Sequence, residues 1–433
     1  MFTYWHRYFL LGFENMLRSL GPAYECITVP YWDQMQQNAK AMTGNCTSLE
    51  NCAMIIRDMG GSSVGTAQGL TINGAWVPGE RCVSAAPLNR FCQASSKTGT
   101  ACARCVPRNN LKAKSFPPSS NFASVYRQLF TSGAFVATGK SVEEGMHNAI
   151  HAEMGGAMGT FQSPADPLFW SHHAYVDLLL TVYLRCRVGL GKLTDEQKKN
   201  NQYAFVQCPH REDAGFFTPT STVTMRNGEL GVNPMQANQP GQDLYQFFVG
   251  LPSKYYQLSD ITQLGRGMNY SYSVSGLVGQ MASQCDAAKG PPGQGSKPVS
   301  PPGLLHDHAN DNDPDATKVT MWVDEVRLLL RGTPPTHTLD ETQIAQQLEK
   351  MVCMFYDTCR GGVQDYTEEF KKAFKVNEPP PCKRIVDALR SDATPASERI
   401  HLPNWKQLME KYFPCEVHGE AAKASGANQD LGS

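Results

Sequence analysis

The sequence predicts a mainly α-helical protein, with long disulfide-tied loops in its first part and a small helical domain at its C-terminal end. Three observations predict this. Apolar residues recur at helical spacing in separate blocks, a cysteine-rich stretch between the early blocks shows little periodicity, and a Pro/Gly-rich run divides two groups of helices. At 433 residues with 41% hydrophobic content, the chain can bury a large core and form two domains.

Taken in order, residues 4–20 place His6, Leu10, Phe13 and Leu17 on one stripe, so a buried helix opens the chain. Residues 36–112 are rich in Gly, Ser, Asn and Cys and read as a long excursion tied by Cys46, Cys52, Cys82, Cys92, Cys102 and Cys105. Cys102-Ala103-Arg104-Cys105 has a metal-like spacing, but no second such pair follows, so disulfides are expected. Helical patterns return near residues 122–130, 141–154 and 166–185, and a polar region with short strand-like pieces ends in Asn269-Tyr270-Ser271-Tyr272. Residues 289–303 (KGPPGQGSKPVSPPG) cannot hold helix or sheet, because proline removes amide donors and glycine raises the entropy cost of order. Beyond this linker, residues 319–331, 339–356, 366–374 and 405–413 read as amphipathic helices, with Cys353, Cys359, Cys382 and Cys415 available for two bridges. The expected division is a first domain over 1–285, a linker over 286–303, a helical domain over 304–418 and a disordered tail over 419–433.

Composition excludes several partners. A formal net charge of −1 leaves no basic surplus to gather nucleic acid or anionic lipid. No apolar run approaches the roughly 20 residues of a spanning helix, and the richest stretch, residues 174–184, contains Asp177. Fourteen cysteines, with the sequons Asn45-Cys46-Thr47 and Asn269-Tyr270-Ser271, point to an oxidising compartment and predict a secreted glycoprotein. The chain opens on Met1-Phe2-Thr3-Tyr4-Trp5-His6 without a leader peptide, which is expected upstream.

The chemistry lies in histidines. In Glu143-Glu144-Gly145-Met146-His147-Asn148-Ala149-Ile150-His151, two imidazoles stand four residues apart, one helical turn, which suits one metal ion. Asp166-Pro167 supplies an N-cap and a proline at the first helical position of the next helix, on which His173 shares a face with Phe169, Val176 and Leu180. His147, His151 and His173 form a geometrically reasonable three-imidazole site for a metal ion, with zinc one candidate. His172 cannot share that face and reads as a histidine that either supports the ligands from just outside them or packs in the core. His6 alone would read as an ordinary core histidine.

Two longer motifs change that reading. The segments WHRYFLLGFENMLR and PYWD, over residues 5–18 and 30–33, resemble the copper A half of tyrosinases, catechol oxidases and molluscan haemocyanins. HNAIH followed by MGGAMGTFQSPADPLFWSHHAYVD resembles the copper B half, and Tyr270-Ser271-Tyr272 is similar to a tyrosine pair near the end of the family's catalytic domain. The resemblance implies a four-helix bundle holding two copper ions, three histidines each, with O2 bound between them. It makes His6 the last copper A ligand and His147, His151 and His173 the copper B ligands, with Phe169 packed on the copper B imidazoles and Asp177 in the surrounding shell. The family takes two further copper A histidines from upstream of the WHR motif, one of them about nine residues before its histidine, and counting back from His6 runs off the chain. His210, His306, His308, His337, His401 and His418 have no matching motif. The expectation is an N-terminally truncated chain that fills copper B at best and has little activity.

Within the family, members that hydroxylate monophenols resemble one another in a glutamate before copper B and an asparagine after its first histidine, which together orient a basic water; Glu144 and Asn148 occupy those positions. Glu144 could equally complete a capping box from Ser141, and Asn148 could be a plain surface residue. Thr160 or Phe161 sits where the family places a residue gating access to copper B. The expected function is a copper-dependent oxidase that ortho-hydroxylates monophenols and oxidises o-diphenols to o-quinones with O2. The alternatives are a catechol oxidase without monophenolase activity, a haemocyanin-like O2 carrier or a copper-poor pseudoenzyme. Such C-terminal domains often cover the family's active site until removed.

Overall fold

The computed structural model describes residues 1–92, 102–189, 192–205, 207–210, 214–227, 235–265, 267–283, 305–307, 313–332 and 339–415. The expected linker over 289–303 and tail over 419–433 lie outside the described residues, as do His308, His337 and His418. Helices dominate: α1 (Phe2–Arg18), α2 (Gln34–Met42), α3 (Leu49–Cys52), α4 (Met54–Asp58), α5 (Phe122–Phe130), α6 (Phe135–Val142), α7 (Asn148–Met154), α8 (Leu168–Arg187), α9 (Asp195–Asn200) and α10 (Gly276–Ser283). Five more follow: α11 (Pro314–Arg331), α12 (Glu341–Cys359), α13 (Glu368–Phe374), α14 (Pro381–Arg390) and α15 (Trp405–Tyr412). Among the described residues no helix is long and apolar enough to cross a membrane.

Helix α8 is buried on every side from Leu168 to Leu184, as a helix surrounded by others must be, and α1, α5 and the α6–α7 pair pack around it. The deepest face of α1 is Tyr4, Arg7, Tyr8 and Leu11 rather than the predicted stripe through His6 and Leu10. An apolar scan passes over Arg7, yet it is fully buried because its charge is matched. Its Nε donates to Asp177 at 2.6 Å, and its other nitrogens donate to the Leu258 carbonyl at 2.7 Å and Thr181 at 3.0 Å. Tyr270 and Tyr272 donate to the second Asp177 oxygen at 2.5 and 2.6 Å, which accounts for the tyrosine pair seen in the sequence.

The stretch over residues 36–112 is more ordered than its composition suggests. It begins within α2, started by Asp33, whose carboxylate accepts the Gln36 amide at 3.0 Å. A three-stranded antiparallel sheet of Gly65–Thr66, Arg81–Val83 and Val106–Arg108 is fastened by Cys82–Cys105, with Cys46–Cys52 and Cys92–Cys102 as further bridges. Cys102 and Cys105 are thus both in disulfides, each with a more distant cysteine.

The C-terminal helices are not set apart from the bundle. Helix α12 packs along α5, so that Met351, Phe355 and Tyr356 belong to one core with Tyr126, Leu129 and Phe130. Strand Leu305–Asp307 pairs in parallel with Tyr272–Val274, and Arg360 donates to the carbonyls of Ala41 and Met42 at 3.1 and 2.9 Å. Cys353–Cys382 and Cys359–Cys415 supply the two expected bridges, and the first anchors α14, a helix the periodicity did not show.

Candidate metal centre

Four imidazoles meet between α8 and the segment ending in α7. His147, His151, His172 and His173 are all buried, and one ligand nitrogen from each lies within 4.8 Å of the others. The region before α7 is not the expected start of a helix. Residues Glu143–His147 form a π-turn between α6 and α7, and Gly145 carries non-helical angles (φ −86°, ψ −112°). Ser141 therefore lies inside α6 and makes no capping box with Glu144, whose side chain is 44% exposed beside Lys140 at 3.6 Å. The Glu144 side chain is thus turned outward, and its backbone carbonyl accepts the Tyr366 hydroxyl at 3.4 Å.

Hydrogen bonds decide which ring nitrogens are bare. His147 Nδ1 faces Asn148 Oδ1 at 2.9 Å, His151 Nδ1 faces the Met158 carbonyl at 2.6 Å, and His6 Nδ1 faces the Phe2 carbonyl at 2.9 Å. Each partner is an oxygen that can only accept, so each proton sits on Nδ1 and each Nε2 presents a lone pair. His151 Nε2 and His173 Nε2 are 3.4 Å apart, close to the roughly 3.3 Å between two nitrogens at tetrahedral angles around a metal about 2.0 Å from each. His173 Nδ1 and His172 Nε2 are buried without a hydrogen-bond partner.

Burial lowers the basicity of every ring in the cluster. It brings His151 down to about 4 and His6 to about 3, and it holds His147, His172 and His173 well below the usual histidine value, with neighbouring imidazoles adding repulsion. All five rings are neutral at pH 7, the state in which imidazole binds copper or zinc. The donor set fits copper.

His172 lies against the three imidazoles expected to be ligands. It is fully buried, its ring lies 5.2 Å from that of His147 and 4.9 Å from that of His151, and its Nδ1 meets Gln34 Nε2 at 2.6 Å. Adjacent residues on one helix point about 100° apart, but this cluster wraps around α8 far enough for both to reach it. His6 stacks on His173 at 3.9 Å, and the Phe2 ring stands edge-on between His6 at 4.7 Å and His147 at 4.5 Å. Phe169 packs 4.2 Å from His173.

The helix expected to start at Asp166 starts beside it. Asp166 Oδ1 accepts the Leu168 amide at 3.0 Å, while both its oxygens take Arg108 nitrogens at 2.7 Å. Of the two gate candidates, Phe161 is 62% exposed, and the Thr160 hydroxyl is turned to the Ala157 carbonyl at 3.0 Å. The ring closest to a gate comes from elsewhere: Phe374, at the end of α13, lies 5.1 Å from His151 and 5.8 Å from Phe161. Sequence reasoning missed Gln34, Arg108 and Phe374, since each acts from an element distant in the chain.

Residues 1–185 match the family model described as the common central domain of tyrosinase. Among similar proteins, the tyrosinase of Streptomyces glaucescens is 28% identical over 200 residues, covering 44% of this chain and 65% of that protein. The tyrosinase of Oryzias latipes is 25% identical over 279 residues, covering 57% and 48%, and tyrosinase-like protein 1 of Margaritifera margaritifera is 29% identical over 220 residues, covering 49% and 39%. The chain thus spans 39% to 65% of the length of these curated relatives. No solved structure matches it. The matched residues contain α1, α7 and all but the last two residues of α8, with every imidazole of the cluster, and residues 1–185 are a central domain of the tyrosinase type.

Proposed function

We propose that this chain is a copper-dependent phenol oxidase that ortho-hydroxylates monophenols and oxidises o-diphenols to o-quinones with O2. The observation that carries the reading is the convergence of His147, His151 and His173, all neutral and buried, within a tyrosinase central domain. In this reading His147, His151 and His173 hold copper B, and His6 is a ligand of copper A. Copper, when bound, supplies the redox chemistry that lets O2 oxidise a phenol. The protein's own residues orient and protect. Asn148 fixes the proton of His147 on Nδ1 and keeps its Nε2 bare, Met158 does the same for His151, and Phe169 buttresses His173. With Glu144, Asn148 orients the water that takes the phenol proton; for this the glutamate must swing inward from Lys140.

That outward position is also the observation favouring a narrower activity, diphenol oxidation alone. The C-terminal helices reach the centre through Phe374, and residues 289–303 are where cleavage would sever the chain before them, leaving their shared core to hold them in place or not. Copper-loaded protein is to be assayed for quinone formation from tyrosine and from catechol, before and after linker cleavage. Product from both supports the full activity, product from catechol alone supports the narrower one, and binding of O2 without turnover would overturn both. An intact chain as active as its cleaved form would sink the role of Phe374.

A further inference from the structure

We propose that Asn269 carries an N-linked glycan when the chain is made in a secretory compartment, and that Asn45, the other sequon asparagine, stays unmodified in the folded protein. A sequon serves as an acceptor where its asparagine amide and its hydroxyl both face solvent. The residues leading into strand Tyr272–Val274 alternate in side, as extended chain does. Tyr270 and Tyr272 turn inward to Asp177, which leaves Asn269 and Ser271, the two residues the modification needs, exposed. The Leu264 amide donates to Asn269 Oδ1 at 2.9 Å. A backbone N–H requires an acceptor, so this bond fixes the orientation of the carboxamide and leaves Nδ2 without a hydrogen bond among the described residues. The surroundings are open as well, for nothing lies within 4 Å of where a side chain on Gly267 would stand.

Asn45 is also exposed, but its amide is engaged. Nδ2 donates to Asp315 Oδ1 at 2.6 Å, and the same oxygen takes the Thr43 hydroxyl at 2.6 Å. Asp315 is buried in the first turn of α11, so its carboxylate depends on these donors. The backbone on either side is fixed, the Asn45 amide donating to the Lys40 carbonyl at 3.0 Å and Cys46 being bridged to Cys52. The C-terminal helices close around this corner: a side chain on Gly44 would stand 3.0 Å from Pro414, and Arg360 donates to the Met42 and Pro414 carbonyls at 2.9 and 2.8 Å. A sugar on Asn45 Nδ2 takes one of its two protons and crowds that nitrogen against Asp315. Transfer to Asn269 meets no such obstacle. It joins Nδ2 to the anomeric carbon of an oligosaccharide and breaks that carbon's bond to a lipid diphosphate, which leaves with the electron pair. The amide nitrogen loses one proton, and Oδ1 keeps its bond to Leu264.

The test uses the full chain expressed behind a leader peptide in a eukaryotic host, with secreted and retained protein both collected. Peptide-N-glycosidase in heavy-oxygen water converts each occupied asparagine to a labelled aspartate, and mass spectrometry of the peptides reads its position. The expected result is label at residue 269 and none at residue 45 in folded protein. Asn269→Gln and Ser271→Ala should each abolish the gel shift that the enzyme produces in the parent, whereas Asn45→Gln should leave that shift in place. The shift is read on denatured protein, so a variant that folds poorly still reports. Ser271→Ala keeps Asn269 and its bond to Leu264, so loss of the glycan there shows that the sequon itself is used. Label at residue 45 confined to retained, aggregated chain would agree with the crowding against α11. Absence of label at residue 269 in both fractions would overturn the proposal, and label at residue 45 in folded protein would overturn the exclusion of Asn45.

Discussion

Arg108→Met is expected to be among the most damaging single substitutions outside the histidine cluster. Arg108 and Asp166 are both fully buried and joined by two hydrogen bonds of 2.7 Å, and the remaining Arg108 nitrogen donates to the Gly61 carbonyl at 2.7 Å. Methionine fills much of the arginine's volume, so the loss is electrostatic. It strands the Asp166 carboxylate in the interior with only the Leu168 amide as a donor, and breaking a buried pair in this way costs about 3–5 kcal/mol. Asp166 stands at the head of α8, so the damage falls on the helix that carries His172 and His173. The double variant Arg108→Met/Asp166→Leu removes the stranded charge and should recover most of the loss. It should remain about 1 kcal/mol below the parent, because the cap on Leu168 goes with the carboxylate. Denaturant unfolding of metal-free protein measures all three as shifts of midpoint at constant slope. A cost for Arg108→Met below about 1 kcal/mol, or a double variant no more stable than the single, would refute this account.

Three other outcomes follow from the same geometry. The buried histidines are neutral in the folded state and protonate near 6.5 when unfolded, so metal-free stability should be full above that pH and fall as pH drops toward about 4; His151 alone accounts for about 3 kcal/mol, and stability that is flat over this range in pH-dependent unfolding would contradict the burial. Phe374→Ala should speed copper exchange with an external chelator while lowering stability by only about 1–2 kcal/mol, since the ring is half-buried, and unchanged exchange would show that it covers nothing. Tyr272→Phe should cost about 1.5–3 kcal/mol in denaturant unfolding, as one of two hydroxyls on Asp177 Oδ2, and a loss below about 0.5 kcal/mol would mean Tyr270 alone satisfies that oxygen.

What could be read from the sequence was whatever local pattern encodes. Periodicity located α1, α5 and α8 and four of the C-terminal helices, and the four-residue spacing placed His147 and His151 on one side of α7. Helix α2 was hidden because its residues, QMQQNAKAM, are mostly polar and sit beside a cysteine-rich stretch. Helix α14 follows three prolines, which read as a break when the last of them in fact starts the helix. His172 was placed outside the ligands by taking one face of α8 as the useful one, and a helix buried all round brings its ring to the cluster as well. Arg108, Gln34 and Phe374 act across the fold, and no local rule brings a residue of α13 to an imidazole of α7. The capping-box alternative for Glu144 presumes that a helix begins there, whereas the helical path enters from α6 through a π-turn.

That π-turn sets the aim of the metal site. Inserting one residue into a helix rotates everything after it by about 100° relative to an unbroken helix, so the turn at Glu143–His147 fixes the phase with which His147 and His151 approach α8. Gly145 permits it in two ways. Its ψ of −112° lies outside the helical region of residues with a side chain, and a Cβ there would stand 2.5 Å from the Gln128 carboxamide. Gln128 is not free to withdraw, because its oxygen accepts the Met146 amide at 3.1 Å and its nitrogen donates to the Ser119 carbonyl at 2.9 Å. Gly145→Ala must therefore break that clamp or undo the turn, and either moves His147 relative to His173. Copper affinity should fall by about tenfold or more, while far-ultraviolet circular dichroism retains the parent's helix content. A variant that binds copper within about twofold of the parent would show that the phase of α7 is held by its packing on α8 instead, with the π-turn a consequence of the site and not its cause.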